Sequence, residues 1–233
     1  HKGGLHVSAV EKDPATYEHI EPSLVGNKRH IVVSDQSGRS NILARFREIG
    51  FDIDPKHPQL PRLLEIVKER EFQGYAYDGA EASFELLARR TLGEVPQFYD
   101  LNSFRVLDER RWNARGDLVT VSEATVKVDV GQQHHMAVAE GNGPVNALDN
   151  ALGKVLLESY PELGDMRLVD YKVRILTPTG GTGAITRVMI ESADRHDERW
   201  SCIGLSTNII DASYNALEDS ITYKLFRDGE TVA

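Results

Sequence analysis

The C-terminal half of the sequence carries the same order of predicted elements twice. Residues 103–110, 122–130 and 134–141 have the composition and alternation of strands, and residues 141–160 then space apolar residues as a helix does. Strand patterns recur over 166–176, 184–193 and 199–206, followed by a helix over 207–226. The pattern predicts two βββα units, each with a sheet face that must be covered by a helix.

A shared tripeptide supports an internal duplication. Asn150, Ala151 and Leu152 recur 65 residues later as Asn215, Ala216 and Leu217. Because a match of three residues is weak alone, the shared order of elements is the stronger indication of a repeat. Asn142 or Gly143, followed by Pro144, is typical of a helix start, and Thr207 or Asn208 takes that place in the second unit.

The residues before the repeats differ in texture. Residues 1–54 are rich in His, Gly, Ser and Asn and show weak periodicity, whereas helices are predicted over 58–71 and 79–93. We therefore expect an α+β protein with helical linker subdomains (residues 1–54 and 55–97) followed by a two-repeat domain (residues 98–233).

Composition excludes several functional classes. The 233 residues include 27 Lys+Arg against 36 Asp+Glu, a formal charge of −9, which argues against a nucleic-acid or membrane surface. A single cysteine, Cys202, allows no internal disulfide and is expected in the core. No apolar stretch approaches the roughly 18 residues of a membrane span. We expect a cytoplasmic protein, and, since the chain opens at His1 inside a motif, the end of a longer one.

Metal and phosphate motifs are weak in this sequence. Eight histidines are present, including the adjacent His134 and His135, but no spacing matches a closed zinc site. The glycine-rich segment 178–183 lies between two predicted strands and matches no phosphate-loop motif, so it is either a strand connection or part of a small-ligand site. Ser37, Gly38 and Arg39 precede a helix, which favours an N-cap over anion binding.

Several motifs in order resemble one enzyme family. The segments "HKGGLHVSAV", "DPATYEHIEPSLVGNKR" and "VSDQSGRSNI" resemble the region after the catalytic barrel in the α-isopropylmalate, homocitrate and citramalate synthases. "GYAYDGAEASFELLARR" is similar to the citramalate synthase branch, and "YKVRILTPTGGTGAITRVMIESAD" with "WSCIGLSTNIIDASYNALEDSI" resembles the C-terminal regulatory domain.

The resemblance implies which chemistry to expect. These enzymes condense acetyl-CoA with a 2-oxo acid in a barrel that holds a divalent metal; here we expect acetyl-CoA and pyruvate, giving (R)-citramalate for isoleucine biosynthesis. The barrel and its metal ligands would lie before His1, so we expect no cofactor in this fragment and no activity from it alone. His6 and Tyr17 match residues that help to bind and deprotonate acetyl-CoA over the partner subunit's barrel; alternatively, His6 caps a loop and Tyr17 packs beneath it.

The resemblance also implies feedback by an end-product amino acid on a homodimer. A helix N-terminus and a close-approach loop suit such a ligand, so the candidate effector-binding residues are Asn142, Gly143, Val145, Pro178 and Gly180. Isoleucine is expected in preference to leucine, and Arg174 or Arg187 would admit an acidic ligand if either faced the pocket. Two alternatives stay open: an isopropylmalate synthase with leucine feedback, or a stand-alone amino-acid-binding or dimerisation module.

Overall fold

Helices and strands follow the predicted order along the chain. The computed structural model describes residues 13, 20, 22–26 and 39–232, which fall into two units that divide between Glu94 and Val95. The predicted α+β class, with helices first and two βββα units after them, is confirmed.

The first unit is helical. After a short 3-10 helix, Pro22–Val25, it contains α1 (Arg39–Glu48), α2 (Leu60–Gln73) and α3 (Glu81–Leu92). The ring of Phe46 on α1 stacks on Phe84 of α3, with centroids 4.1 Å apart. Beside this stack, the buried Arg45 guanidinium lies 2.9 Å from the Glu81 carboxylate. The helices predicted over 58–71 and 79–93 correspond to α2 and α3.

The second unit holds the two repeats. The first comprises β1 (Asp100–Trp112), β2 (Leu118–Val130), β3 (Gln133–Gly141) and α4 (Pro144–Leu156). The second comprises β4 (Arg167–Ile175), β5 (Thr186–Ala193), β6 (Arg199–Ser206) and α5 (Ile209–Arg227). Short 3-10 helices span Pro161–Asp165 and Pro178–Gly183. The helices of the two repeats begin 65 residues apart, as the tripeptide predicts.

Each repeat forms one antiparallel sheet with a helix on one face. The strand orders are β1-β2-β3 and β4-β5-β6, so the middle strand of each sheet is the second in sequence. Ala124, Val126 and Val128 on β2 have no exposed surface beneath α4, and Val188 on β5 is equally buried beneath α5. On the other face of the first sheet, Leu107, Met136 and Val138 are exposed. The apolar alternation thus marks the helix-covered face.

The repeated asparagine has the same contact in both repeats. The Nδ2 atom of Asn150 donates to the Glu140 carbonyl oxygen at 2.9 Å, and Nδ2 of Asn215 donates to the Leu205 carbonyl oxygen at 3.5 Å. Each bond joins the helix to the last strand of its own sheet. The shared tripeptide therefore marks where the helix attaches to the sheet.

Helix α5 lies unusually close to β6. A Cβ atom built on Gly204 would overlap the carbonyl oxygen of Ala212 and would lie 2.8 Å from the amide nitrogen of Ala216. Both neighbours are backbone atoms of α5, so neither can move aside without shifting the helix. Glycine is therefore required at this point of β6 by the helix–sheet distance.

Polar groups inside the second repeat are paired. Trp200 Nε1 donates to Ser220 Oγ at 2.7 Å, and that hydroxyl donates to Ser192 Oγ at 2.8 Å. Near the end of α5, the buried Asp194 carboxylate accepts from Arg227 at 2.7 Å. These bonds fix α5 on its sheet from within the core. Cys202 is buried there, as predicted.

Candidate functional site

A cavity of about 400 Å³ lies between α4, α5 and the start of β4. Its lining is apolar over much of its area and includes Leu157, Leu163, Met166 and Ile221. The charged side chains of Asp149, Lys154 and Arg167 are also among the lining residues. The pocket is partly open to solvent, and its volume lies within the range of small-ligand sites.

Among the charged residues that line this cavity, Asp149 is the one whose pKa is shifted. Burial raises the pKa of its carboxyl group above the usual value. No hydrogen bond or ion pair engages it among the residues that the structure describes. By contrast, Lys154 Nζ donates to the Val138 carbonyl oxygen at 3.2 Å, and Arg167 pairs with Asp197 at 2.6 Å. Asp149 is thus the group that a cationic ligand would neutralise.

The N-terminus of α4 carries three of the predicted effector-binding residues. Gly143 is the N-cap, in extended conformation, and no side chain in the described part of the protein caps the helix. The amide of Asn142 instead donates to Asn146 Oδ1 at 3.0 Å. In the second repeat the matching Asn208 caps α5, since its Oδ1 accepts from the Ile210 amide at 2.8 Å. The positive end of the α4 dipole is therefore less compensated than that of α5.

The other two predicted residues lie in the connection between β4 and β5. Pro178 and Gly180 belong to the 3-10 helix Pro178–Gly183. Thr177 Oγ1 accepts from the Ile185 amide at 2.8 Å and closes this connection. The five predicted effector residues therefore lie in two different repeats, and none of them lines the 400 Å³ cavity.

Arg174 and Arg187 occupy opposite positions in the β4–β5 register. They lie on the face of the second sheet that points away from α5, because the adjacent Val188 faces the helix. Either guanidinium could therefore contact an acidic ligand only on this outer face of the second sheet, and not on the face that α5 covers.

The predicted catalytic residues lie outside the part of the chain that the structure describes, whereas the question of a metal site can be examined within it. His6 and Tyr17 lie outside the described residues. Across those described residues, no group of three His, Cys, Asp or Glu side chains is arranged to hold a metal ion. His134 Nδ1 lies 2.7 Å from Asp129, whose pKa is lowered by hydrogen bonds from Asn102 and from His134. The divalent metal that the resemblance implies is therefore not assigned to the described residues.

Comparison with protein families decides the relationship. The model of the LeuA allosteric (dimerisation) domain matches residues 78–225, well over half of the sequence. The chain belongs to this family. A second model, described as homocitrate synthase post-HMGL domain-like, matches residues 1–72. The resemblance drawn from the motifs is confirmed, and the LeuA match covers both repeats except the last two residues of α5.

Curated relatives match nearly the whole chain. An (R)-citramalate synthase of Geobacter sulfurreducens is 52% identical over 230 residues, which is 99% of this chain and 43% of the relative. The (R)-citramalate synthases of Aquifex aeolicus and Streptomyces coelicolor are 51% and 46% identical, over 99% and 98% of this chain and 43% and 42% of their own length. The chain thus spans less than half the length of these relatives. Among the described residues of this LeuA allosteric domain and its linker, no helix is long and apolar enough to cross a membrane.

The cavity and Asp149 were missed by sequence reasoning. Asp149 and Gly153 on α4, and Leu157 directly after its last residue, are spaced four residues apart and line the cavity together. Within an apolar helix such a spacing is usually taken as the solvated face. The sequence signal for the cavity was the pair Asp149 and Gly153, one charged and one small residue that lie beside the buried apolar face of α4.

Proposed function

We propose that this chain is the regulatory C-terminal part of an acyltransferase that condenses acetyl-CoA with pyruvate to (R)-citramalate. One observation carries the proposal: identity above 50% over 99% of the chain to two proteins named (R)-citramalate synthase. In this proposal residues 1–54 form a linker subdomain, 55–97 a helical subdomain and 98–233 the effector-binding and dimerisation domain. The protein acts in the cytoplasm, in isoleucine biosynthesis.

The proposed effector is an aliphatic amino acid, isoleucine in preference to leucine. At the α4 N-terminus the proposed effector residues are Asn142, Gly143 and Val145. The backbone N–H groups of Gly143 and Val145 and the positive end of the helix dipole suit a carboxylate, whereas the N–H of Asn142 already donates to Asn146 Oδ1. Pro178 and Gly180 are proposed to close over the ligand from the β4–β5 connection. Since two isomers of equal carbon count differ only in shape, discrimination on the order of 1–3 kcal/mol is expected.

A chimera tests the proposed function directly. The part of the Geobacter sulfurreducens (R)-citramalate synthase that matches this chain would be replaced by residues 1–233. Release of CoA from acetyl-CoA and pyruvate would then be followed with increasing isoleucine, leucine or valine. We expect an active enzyme that isoleucine inhibits most strongly, whereas the isolated chain should release no CoA.

Each other outcome points elsewhere. Stronger inhibition by leucine would favour an isopropylmalate synthase. An active chimera insensitive to all three amino acids would leave a dimerisation module. The parental synthase, measured in parallel, shows whether the chimera's activity is that of an intact enzyme.

His6 and Tyr17 are proposed to assist the deprotonation of acetyl-CoA. Forming an enolate from a thioester needs donors for the developing negative charge, and imidazole and phenol groups supply them. In the chimera, His6→Ala and Tyr17→Phe should each lower kcat by about 10²-fold. Unchanged kcat in both variants would indicate that the two residues only support the loop.

A homodimer is proposed because, among the described residues of the second unit, no helix covers one face of the first sheet. Leu107 and Met136 on that face are 57% and 61% exposed. A patch of exposed apolar side chains is typical of an interaction surface. Light scattering of the chain at micromolar concentration should give twice the mass of 26.0 kDa, and a monomer would contradict this part of the proposal.

A further inference from the structure

One asparagine in the sequence precedes a glycine, and it lies between β3 and α4. Asn142 is followed by Gly143, whereas every other asparagine is followed by a larger residue. Asparagine is among the less durable residues of proteins. Its amide carbon lies within reach of the next backbone nitrogen, and glycine shields that nitrogen least because it has no Cβ atom. The sequence therefore indicates a reactive peptide at this position.

The fold leaves both reacting groups free. Asn142 is exposed, and its backbone N–H donates to Asn146 Oδ1 at 3.0 Å. Among the described residues, no hydrogen bond engages the Asn142 side chain or the Gly143 N–H. A Cβ atom built on Gly143 would meet no atom of the described chain within 4 Å, so the space beside its nitrogen is open on this side. The Asn142 amide can therefore turn toward that nitrogen without giving up a hydrogen bond.

The second repeat has an asparagine at the start of its own helix, in different surroundings. Asn208 is exposed as well, but its Oδ1 accepts from the Ile210 amide at 2.8 Å. The next residue is Ile209, whose branched side chain crowds its own backbone nitrogen. The two asparagines thus share exposure, whereas a free amide and an unshielded neighbouring nitrogen coincide at Asn142.

We propose that Asn142 is a deamidation site that the fold leaves reactive. The Gly143 nitrogen gives its proton to water and attacks Cγ of Asn142, the bond from Cγ to the side-chain nitrogen breaks, and ammonia leaves a succinimide ring. Water then opens either ring C–N bond, which gives aspartate or isoaspartate. Each ammonia released consumes one water, and no electron donor or acceptor takes part.

The products change the charge and the length of the connection into α4. A carboxylate at this end of a helix interacts favourably with the helix dipole, so the aspartate form is compatible with the fold. In the isoaspartate form the main chain passes through Cβ and gains one bond. Gly141 already lies against α4, since a Cβ atom built on it would overlap the Ala147 backbone nitrogen. The extra length must therefore be taken up at Gly143 and the first turn of α4.

Peptide mapping of the 233-residue chain tests the proposal. Folded and urea-unfolded chain would be incubated in mildly alkaline buffer, and mass spectrometry would locate each exchange of NH2 for OH. Enzymatic methylation would count isoaspartate. Gly143→Ala adds a methyl group beside the attacking nitrogen, in open space and on extended backbone. Ile209→Gly is the matched control, because it creates the same dipeptide at Asn208 while Oδ1 stays hydrogen-bonded.

We expect Asn142 to react in the folded wild type during the period in which it reacts in urea, with Asn208 intact. Gly143→Ala should lose most of the reaction. Its melting temperature should stay at or above that of wild type, because alanine adopts this backbone conformation without strain. In folded Ile209→Gly, Asn208 should react far more slowly than Asn142.

The consequence for feedback rests on the proposed function and is measured separately. A carboxylate on residue 142 would compete with the effector's carboxylate for the start of α4. Isoleucine should therefore inhibit the chimera less after incubation, and Asn142→Asp should show the same loss from the start. Deamidation with isoleucine inhibition unchanged would support the modification site and contradict the effector's placement at α4.

Three results would overturn the inference. A folded chain that keeps Asn142 while the unfolded chain loses it would show that the fold protects the site. A Gly143→Ala variant that reacts as fast as wild type would exclude attack by the Gly143 nitrogen. Equal rates at Asn208 in folded Ile209→Gly and at Asn142 would mean that the dipeptide alone, and not the fold, decides the reaction.

Discussion

Replacing Gly204 by alanine should destabilise the second repeat severely. The new methyl group would overlap the Ala212 carbonyl oxygen and lie 2.8 Å from the Ala216 amide nitrogen, so α5 must move off the sheet. Overpacking of a core commonly costs 1–3 kcal/mol. Because both contacts here are to helix backbone, we expect the upper end, about 3 kcal/mol, which for a unit of this size lowers Tm by roughly 6–12 °C.

The first repeat provides the control for this prediction. Ala139 is the residue 65 positions before Gly204, and it tolerates a methyl group at the equivalent place. Ala139→Gly should therefore cost no more than about 1 kcal/mol, as expected for an added glycine in a strand. Urea unfolding followed by the fluorescence of the buried Trp200 measures both variants, since Trp200 packs against α5 through Ser220. A Gly204→Ala variant within 0.5 kcal/mol of wild type would refute the close approach.

Three further changes test the packing and the ionisable groups. Asp149→Asn should raise the free energy of unfolding at neutral pH and have little effect in acid. Because burial raises the folded-state pKa of Asp149, the ionised carboxylate destabilises the fold as pH rises through that pKa. Equal effects of the substitution at both pH values would contradict this. For Asp194, burial acts to raise the pKa, but hydrogen bonds from two backbone amides and from Arg227 hold it below its usual value. The stability that Asp194 contributes should therefore be lost as pH falls through the lowered pKa, and Asp194→Asn should flatten the acid limb of a urea-monitored pH profile. Tyr160→Phe removes the 2.7 Å hydrogen bond to the Phe98 carbonyl oxygen and should cost about 1–2 kcal/mol in urea unfolding, whereas a neutral effect would mean that water replaces the hydroxyl.

The sequence predicted the repeats well because one sheet face is buried against a helix in each. On β2, Val126 and Val128 alternate with polar residues, and the buried face follows that alternation. The sequence identifies Asn150 and Asn215 as a repeated pair. It does not predict that their side chains donate hydrogen bonds to β3 and β6, the last strands of the two sheets. The hydrophobic period and the order of elements can be read along the sequence. The two hydrogen bonds depend on the distance and angle at which each helix packs on its sheet.

The cavity could not be predicted in the same way. A cavity is space that no side chain fills. A hydrophobic pattern shows which residues are apolar, but it does not show where the packed side chains leave such a space. Aligning the repeats would have set Asp149 against Tyr214 and Gly153 against Glu218, which is the one sequence signal for a missing side chain. The candidate residues at the α4 N-terminus were placed from capping rules, which specify helix ends but not cavities.

The side chains that attach α4 to its sheet should also make one sheet edge less able to pair with another chain. Asn150 and Lys154 occupy the carbonyl oxygens of Glu140 and Val138 along the outer edge of β3. An incoming strand needs those same acceptors to extend the sheet, so this edge is a poor template for fibril growth. Removing both side chains would leave two acceptors bare, and the cost should show as aggregation during refolding more than as lost native stability.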